Sequence, residues 1–311
     1  MSEPAQRSWL RALDEALGFL GERLRGDEPV APLCTYKVGG AARRFVEVAD
    51  ERELERIVHA VAAAGLGLKT VVIGRGSNLL VSDSGFDGLM LRLGESFTAI
   101  RIEGTTVECG AAASLPVVAR RTAAAGLTGF EWAVGVPGSM GGAVSMNAGG
   151  HGSDMEEVVS RVRVHHPVSG KALWMSPELI DFGYRGTALP PNQVVSRVDL
   201  ALSRGDRADS EELIAEIVRW RRENQPGGQN AGSVFTNPPG DSAGRLIDQA
   251  GCKGLRIGTA EVSTKHANFI QADRGGSADD VAALMAEVAK RVADTTGVRL
   301  LPETRMLGFR R

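Results

Sequence analysis

The stretch from Val134 to Gly150 is the feature that most restricts how this chain can fold. It reads VGVPGSMGGAVSMNAGG and holds six glycines. So many glycines disfavour a regular amphipathic helix or an alternating strand, which predicts an irregular loop. Glycine lets main-chain N–H groups come close to a ligand, so this loop suits the phosphates and flat ring of a nucleotide cofactor. A glycine-rich surface loop without a ligand is the alternative interpretation.

A second stretch of this kind lies upstream, where VVIGRGSNLLV spans Val71 to Val81. Its two apolar runs flank a glycine-rich turn, which predicts a strand that leads into a tight turn rich in N–H groups. A dinucleotide fingerprint requires a further small residue and then a helix. Leu79, Leu80 and Val81 follow here instead, so the pattern disfavours a Rossmann half. Two short loops favour a pyrophosphate held between two small subdomains.

Composition and charge exclude several other classes of protein. A length of 311 residues fits about two domains of ordinary size. Lysine and arginine number 36 against 38 acidic residues, so no overall positive field indicates nucleic acid or a membrane as a partner. Cys34, Cys109 and Cys252 stand singly, which disfavours disulfides and a metal site. Because the N-terminus has no long apolar segment, we expect a cytoplasmic protein.

Hydrophobic periodicity predicts the main helices and strands. Leucines at spacings of three and four predict a helix over residues 8–25, with Ser8 as its N-cap and Gly26 as its stop. The other predicted helices follow Asp50, span 114–125, start at Ser210, and follow the N-caps Asp241 and Ser277, the last of them ending at Gly297. The predicted strands are 70–73, 88–93, 98–102, 105–109 and segments within 158–202. In one of these segments the neighbours His165 and His166 should point to opposite faces, so they cannot easily share a metal.

Seven motifs along the chain are similar to those of one known family. In chain order they are TYKVGG (35–40), GRGSNLLV (74–81), GVPGSMGGAVSMNAGG (135–150), FGYRG (182–186), AGSVFTNP (231–238), AGRLIDQAGCKGLRIGTAEVSTKHANFI (243–270) and LPETRMLG (301–308). Together they resemble the UDP-N-acetylenolpyruvoylglucosamine reductase family over about residues 35–308.

The resemblance implies an α+β fold with three parts. Two subdomains form an FAD-binding fold of the vanillyl-alcohol-oxidase (PCMH) type, and an α/β substrate-binding domain follows. We expect residues 1–93, including the N-terminal helix, to form the first subdomain, 94–203 the second and 204–311 the substrate-binding domain. The short segment between Arg185 and Ser233 is similar to the family's shorter type, which lacks an extra loop carrying a tyrosine.

The resemblance also implies three catalytic residues. Ser233 matches the family's proton donor, whereas Arg185 and Glu303 match the residues that polarise the substrate carboxylate and stabilise the enol-like intermediate. Each has a simpler interpretation from its own residues. Ser233 could be a turn serine, Arg185 could form a surface ion pair, and Glu303 could form a local salt bridge with Arg305.

Further positions match the family's cofactor and substrate contacts. The implied cofactor-binding residues are Gly74, Arg75, Gly76, Ser77, Asn78, Leu79, Pro137, Gly138, Ser139, Gly142, Asn147 and Arg221. The implied substrate-binding residues are Tyr184, Asn237, His266 and Asn268. For the last three, a structural side chain satisfied by internal hydrogen bonds is the competing interpretation. The chain departs from the family pattern at His151, Thr187 and Thr236, where tyrosine, serine and lysine are usual.

The implied reaction is the NADPH-dependent reduction of the enolpyruvyl ether of UDP-N-acetylglucosamine to UDP-N-acetylmuramate, a step of peptidoglycan precursor synthesis. FAD would carry the hydride. We expect the FAD to be noncovalent, because Arg75 to Asn78 contains no linking histidine. The sequence holds no second dinucleotide motif, which fits NADPH and the UDP-sugar occupying one pocket in turn. The rival hypotheses are another flavin-dependent sugar or alcohol oxidoreductase, and a non-enzymatic flavoprotein that binds cell-wall precursors.

Overall fold

A computed structural model describes residues 3–309 and divides into two compact units. Unit 1 takes the chain up to Asp27, then Arg43–Gly74 and Gly88–Ile217. Unit 2 takes Glu28–Ala42, Arg75–Asp87 and the chain from Val218 onward. Each unit is thus built from segments that are distant in sequence. The three-part division into 1–93, 94–203 and 204–311 stays a prediction.

The described residues form α-helices, short 3-10 helices and strands. The α-helices are α1 (Glu3–Ala16), α2 (Glu51–Ala63), α3 (Leu115–Ala124), α4 (Met140–Ser145), α5 (Pro177–Ile180), α6 (Arg207–Asn224), α7 (Ala243–Gln249) and α8 (Ala278–Thr296). The 3-10 helices are Gly18–Arg23, Ala31–Leu33, Gly67–Lys69, Glu95–Thr98 and Glu131–Gly135. Between residues 3 and 309, no helix is both long and apolar enough to cross a membrane.

The strands are mostly short and carry the labels used below. They are β1 (Arg25–Pro29), β2 (Ala41–Val48), β3 (Thr70–Ile73), β4 (Leu79–Val81), β5 (Phe86–Leu93), β6 (Ile100–Glu103), β7 (Thr106–Gly110), β8 (Leu127–Thr128), β9 (Gly149–Gly150), β10 (Ser153–Asp154), β11 (Val159–His166), β12 (Lys171–Met175), β13 (Phe182–Gly183), β14 (Gly186–Thr187), β15 (Val194–Ala201), β16 (Ser203–Arg204), β17 (Arg256–Ile257), β18 (Ala260–Val262), β19 (Ile270–Ala272) and β20 (Arg305–Leu307).

Two sheets organise unit 1. One has the order β1-β2-β5-β3, and within it β3 and β5 run parallel. The other has the order β12-β11-β15-β7-β6, and its neighbouring strands are antiparallel. Most residues of β15 are buried, because this central strand is covered by α4 on one face. The mixed arrangement differs from the uninterrupted parallel sheet of a Rossmann domain.

Unit 2 has its own apolar core. The three-stranded sheet β17-β18-β19 packs against α8, and α7 packs beside it. Val281, Leu284 and Val288 of α8 are buried in this core, together with Tyr36 and Phe235. A short parallel pair, β4 and β20, joins Leu79–Val81 to Arg305–Leu307 in register. The last element of the chain is therefore hydrogen-bonded to the strand that follows the GRGSN turn.

The structure confirms several predicted helix ends and strands. The Asp50 side chain accepts from the N–H of Glu53 and caps α2, and Ser277 caps α8, which ends at Gly297 in the left-handed region. The predicted strands 70–73, 88–93 and 105–109 correspond to β3, β5 and β7. His165 and His166 contact different partners on opposite faces of β11, as expected.

Three local predictions were wrong. The helix predicted over 8–25 starts at Glu3 and ends at Ala16, so Ser8 lies inside it; a 3-10 helix spans Gly18–Arg23 and is kinked at Gly21, which has a φ of 57°. A leucine spacing of three and four fits both kinds of helix, so the pattern could not separate them. The helix predicted from Ser210 starts at Arg207. Ser242 rather than Asp241 caps α7, since its hydroxyl accepts from the N–H of Arg245.

A buried polar cluster ties α2 to the five-stranded sheet. Glu51 Oε1 lies 2.8 Å from Arg163 Nε, 2.9 Å from His165 Nε2 and 3.0 Å from Ser196 Oγ. His165 is fully buried. Burial alone would raise the pKa of Glu51, but its three neighbours outweigh burial and hold that pKa at about 2. The carboxylate therefore stays ionised far below its ordinary range.

We predict that Glu51 contributes stability that depends on pH. The contribution should be complete above the ordinary pKa of 4.5 and should disappear as the pH falls toward about 2, because the folded-state pKa is lowered. Glu51→Gln should lower the urea midpoint at pH 7, and its difference from the wild type should shrink between pH 4.5 and 2. Glu55→Gln, which removes one contact to Arg163 from an exposed site, is the matched control. A difference that stays constant with pH would contradict the prediction.

Candidate active site

The GRGSN turn connects β3 to β4 without a helix, as its sequence predicts. Gly76 has a φ of 61°, and a Cβ at this position would lie 2.6 Å from the Cα of Cys34. No residue with a side chain fits there without moving the backbone of Leu33 and Cys34, the two residues before TYKVGG. The N–H of Thr35 also donates to the carbonyl of Gly76 at 3.1 Å. The turn is thus fixed in shape from within unit 2.

The stretch from Val134 to Gly150 is more regular than its glycines predict. It contains the short helix α4, which buries Met140, Ala143 and Val144. Gly141 lies against β7 and β15, where an added Cβ would stand 2.9 Å from the Cβ of Ala111. The expectation of an irregular loop was therefore wrong for 140–145, because the glycines let one and a half helical turns pack directly on the sheet.

Ser139 marks the place where the two glycine-rich stretches meet within unit 1. It precedes α4 and is buried. A Cβ added to Gly74 would overlap the Ser139 hydroxyl, and one added to Gly142 would lie 3.4 Å from it. Gly74 and Gly142 are themselves exposed. Exposed glycine backbone on both sides of a seryl hydroxyl forms a cradle that side chains would fill, and this fits a phosphate-bearing cofactor.

Asn147 was predicted to contact the cofactor, but its side chain is hydrogen-bonded inside the protein. It is buried, with a φ of 40°. Its amide nitrogen donates to the carbonyl of Gly183 at 3.1 Å, and its amide oxygen accepts from the N–H of Glu156 at 3.1 Å. The side chain thus links the glycine-rich stretch to the β13–β14 hairpin.

Arg185 lies in the two-residue turn of that hairpin. β13 and β14 pair Phe182 with Thr187 and Gly183 with Gly186, which leaves Tyr184 and Arg185 as the turn. Arg185 has a φ of 57°, a left-handed conformation that costs a residue with a side chain about 1 kcal/mol or more. Its Nη1 lies 3.5 Å from the carbonyl of Asn147 and would lie 3.0 Å from a Cβ on Gly149.

Ser233 and Glu303 lie on two neighbouring segments of unit 2. The N–H of Glu303 donates to the carbonyl of Val234 at 2.8 Å, and the N–H of Thr236 donates to the carbonyl of Leu301 at 3.0 Å. Ser233 follows Gly232, whose φ of 78° sets the turn before it. Unit 2 therefore brings the backbones of the proposed proton donor and of Glu303 together. Arg185 belongs to unit 1.

The predicted substrate residues serve partly structural roles. Asn268 is buried, and its amide oxygen and nitrogen bond the N–H and carbonyl of Phe235 at 3.0 and 2.8 Å. The Asn237 side chain accepts from the N–H of Ala243 at the start of α7. Burial lowers the pKa of His266, which keeps its ring neutral near pH 7. Tyr184 is 65% exposed and free of the apolar core.

Arg221 differs from the arginines beside it in sequence. It lies in the last turn of α6 and is partly buried, whereas Arg219 and Arg222 are exposed. Burial lowers the pKa of Arg221, so its positive charge is held in a less polar surrounding than water. Its Nε donates to the Gln225 side chain at 2.7 Å. The basic cluster is thus more than a solvated helix end at this one position.

The residues predicted to bind the cofactor are distributed over both units. Unit 1 holds Gly74, Pro137, Gly138, Ser139, Gly142 and Asn147, and unit 2 holds Arg75, Gly76, Ser77, Asn78, Leu79 and Arg221. Sequence reasoning left a structural role open for Asn268 without naming its partner, and it missed the backbone contact of Asn78, because the partners lie 33 and 225 residues away. No local pattern carries that information.

Comparisons with known proteins place this geometry in a class. A family model described as an FAD-binding domain matches residues 42–176, and the model for the C-terminal domain of UDP-N-acetylenolpyruvoylglucosamine reductase matches 224–307. The two matches define a flavoprotein that has an FAD-binding domain followed by a separate C-terminal domain, in agreement with the predicted fold class.

Individual relatives give the family. UDP-N-acetylenolpyruvoylglucosamine reductase 2 of Symbiobacterium thermophilum is 43% identical and covers 92% of each chain. The reductase of Rubrobacter xylanophilus is 41% identical over 95% of this chain and 99% of its own. The crystal structure of the enzyme from Thermus caldophilus matches with a TM-score of 0.79 at 36% identity, over 91% of this chain and 99% of the other.

This chain belongs to the UDP-N-acetylenolpyruvoylglucosamine reductase family. It is therefore an FAD-containing oxidoreductase, which confirms the predicted family, fold class and cofactor. The same finding decides against a non-enzymatic flavoprotein.

We predict that Gly74→Ala weakens FAD binding. The new methyl group would overlap the Ser139 hydroxyl, and overpacking of this kind costs about 1 to 3 kcal/mol, roughly ten- to hundredfold in affinity. The flavin-to-protein absorbance ratio after gel filtration at low concentration measures the loss. Gly18→Ala is the matched control, because a Cβ at that position meets nothing within 4 Å. Equal FAD retention in both variants would show that the cradle does not hold the cofactor.

Proposed function

We propose that this protein reduces the enolpyruvyl ether of UDP-N-acetylglucosamine to UDP-N-acetylmuramate with NADPH, a step of peptidoglycan precursor synthesis. The observation that best supports the proposal is the hydrogen bond from the Glu303 N–H to the carbonyl of Val234, the residue after Ser233. It holds a carboxylate and a hydroxyl on adjoining backbone within one unit. An acid and a charge-stabilising group held together are what the protonation of an enol-like carbon requires.

The chain's own residues have separate tasks in this reaction. Bound FAD supplies the hydride carrier between NADPH and the substrate methylene carbon. Ser233 delivers a proton from its hydroxyl to the adjacent carbon of the substrate. Arg185 binds the substrate carboxylate, where negative charge develops, and Glu303 in its protonated form stabilises the enol-like intermediate by donating a hydrogen bond. The strained φ of Arg185 fits a side chain whose direction matters more than its local stability.

Binding tasks follow from the placement of the other residues. The exposed backbone of Gly74 and Gly142 beside Ser139 receives the cofactor phosphates, and Arg221 neutralises part of their charge. Tyr184 and His266 contact the UDP-sugar, whereas Asn237 and Asn268 shape its pocket through the backbone that they bind. NADPH and the UDP-sugar use one pocket in turn.

Three broader features belong to the same proposal. The chain consists of FAD-binding subdomains 1–93 and 94–203 and a substrate-binding domain 204–311. It is of the family's shorter type, because the segment from Arg185 to Ser233 has no room for an extra tyrosine loop. It works in the cytoplasm, which fits three free, buried cysteines.

A direct assay tests the function. The purified protein should be yellow, and acid precipitation should release all of its flavin into the supernatant, because the GRGSN turn contains no histidine for a covalent link. NADPH oxidation should be fast with the enolpyruvyl UDP-sugar and slow without it. Colour that remains in the pellet would contradict the noncovalent link, and NADPH oxidation that ignores the UDP-sugar would contradict the proposed substrate.

We predict that Arg221→Ala weakens FAD retention by about 1.5 to 3 kcal/mol, the usual cost of losing a hydrogen bond from a charged group. The partly buried position of Arg221 is the reason for this expectation. Arg219→Ala, which changes an exposed arginine of the same helix, should leave FAD retention unchanged. Fluorescence titration of the apoprotein with FAD measures both. If the two variants bind FAD equally, Arg221 has no part in the cofactor site.

We predict that Ser233→Ala separates the two half-reactions. Reduction of the bound flavin by NADPH should keep its wild-type rate, because Ser233 takes no part in it. Reoxidation by the UDP-sugar should slow by roughly a hundredfold to ten-thousandfold, the effect of losing a positioned acid. Stopped-flow absorbance follows each half-reaction separately. Reoxidation at the wild-type rate would identify Ser233 as a turn residue and place the proton donor elsewhere.

A further inference from the structure

We infer that Asn78 is a positioning residue for Glu303. Its side-chain amide donates to the carbonyl of Glu303 at 3.0 Å. Asn78 ends the GRGSN turn, whose backbone is a candidate for the cofactor phosphates, and so its side chain would be expected to serve the cofactor. The structure gives that side chain a different partner, on a segment 225 residues away. The inference rests on the proposed function, since it concerns the role of Glu303.

The hydrogen bonds around Glu303 hold its backbone from two sides. The N–H of Glu303 donates to the carbonyl of Val234, and its carbonyl accepts from the Asn78 amide. Two residues later, the N–H of Arg305 donates to the carbonyl of Asn78 at 3.1 Å. Asn78 therefore contacts the 303–305 segment with both its side chain and its backbone. With these contacts in place, the Glu303 Cα has little freedom to shift or rotate.

The β4–β20 pairing turns this local contact into a fixed register. Leu79 pairs with Arg305, Leu80 with Met306 and Val81 with Leu307. Leu80 is buried in the core of unit 2, and Met306 packs against that core. Asn78 immediately precedes β4, and Glu303 lies two residues before the start of β20. Its amide continues the pairing by one bond beyond the backbone ladder.

This arrangement assigns a separate task to each part of Asn78. The backbone of Asn78 belongs to the turn and to β4, so it remains in place when the side chain is changed. The amide nitrogen restrains the peptide of Glu303. A side chain that is misplaced by about 1 Å can cost on the order of a hundredfold in rate. The loss should fall on the half-reaction that uses Glu303, and not on cofactor binding.

The test uses the flavin-loaded protein and the variants Asn78→Ala and Asn78→Leu. Both should keep the wild-type FAD content and the wild-type rate of flavin reduction by NADPH. Both should slow flavin reoxidation by the enolpyruvyl UDP-sugar by roughly ten- to hundredfold. Asn78→Leu keeps a side chain of similar shape and adds no charge but has no N–H donor, so a defect as large as that of Asn78→Ala identifies the lost hydrogen bond as the cause. Asn192→Ala is the matched control, because it removes a similar bond, from an amide nitrogen to the carbonyl of Gly67 at 3.2 Å, in unit 1.

A double-variant comparison distinguishes positioning from a general structural defect. If Asn78 acts through Glu303, Asn78→Ala should have almost no further effect on reoxidation in a Glu303→Gln background. Additive effects of the two changes would overturn the inference, as would wild-type reoxidation in Asn78→Ala. Loss of FAD from Asn78→Ala would also overturn it and would assign the side chain to the cofactor. A wild-type protein that is not reoxidised by the UDP-sugar would instead contradict the proposed function itself.

Discussion

The close approach of Gly74 and Gly142 to the Ser139 hydroxyl is the constraint on which the proposed cofactor-binding surface of unit 1 depends. It works because neither glycine has a Cβ, so the end of β3 and the start of α4 can share one buried serine. Packing then fixes α4 against β15, and the chain beyond α4 reaches Asn147. From there, hydrogen bonds lead to the hairpin that carries Arg185. The contact of Gly74 and Gly142 with Ser139 is thus linked, through packing and hydrogen bonds within unit 1, to the position of Arg185, a proposed catalytic residue.

In unit 2, distant backbone segments are held together by hydrogen bonds, several of them from asparagine side chains, and not by close-packed glycines. Asn268 binds the N–H and carbonyl of Phe235, Val234 binds the N–H of Glu303, and Asn78 binds the carbonyl of Glu303. An asparagine side chain imitates a peptide group, so it can extend backbone pairing to segments that no strand reaches. The residues that family motifs mark for ligand contact are, in several cases, the ones that hold the backbone around Ser233 and Glu303 in place.

Two partly buried charged side chains, Glu51 in unit 1 and Arg221 in unit 2, have different surroundings. Glu51 is kept ionised by three neighbours at the junction of α2 and the five-stranded sheet, where it stabilises the fold. Arg221 keeps its charge although burial lowers its pKa. The first charge is satisfied inside the protein, whereas the second is the one that we propose to bind a cofactor phosphate. This difference separates a structural ionised group from one proposed to bind the cofactor, although both lie in helices next to other charged residues.

The sequence by itself determined the family, the cofactor, most of the longer helices and several strands, because capping residues, strand patterns and glycine spacing act over a few residues. It correctly excluded a Rossmann half from Leu79, Leu80 and Val81. It could not predict that the first helix ends at Ala16 and is followed by a 3-10 helix, nor that Gly141 packs a short helix on a sheet. Only the tertiary structure decided which side chains face backbone and which remain available to ligands. Asn78, Asn147 and Asn268 make this plain, since the side chain of each donates to a backbone carbonyl that lies between 33 and 225 residues away. A hydrogen bond over such a separation depends on how distant segments pack, and local sequence does not encode it.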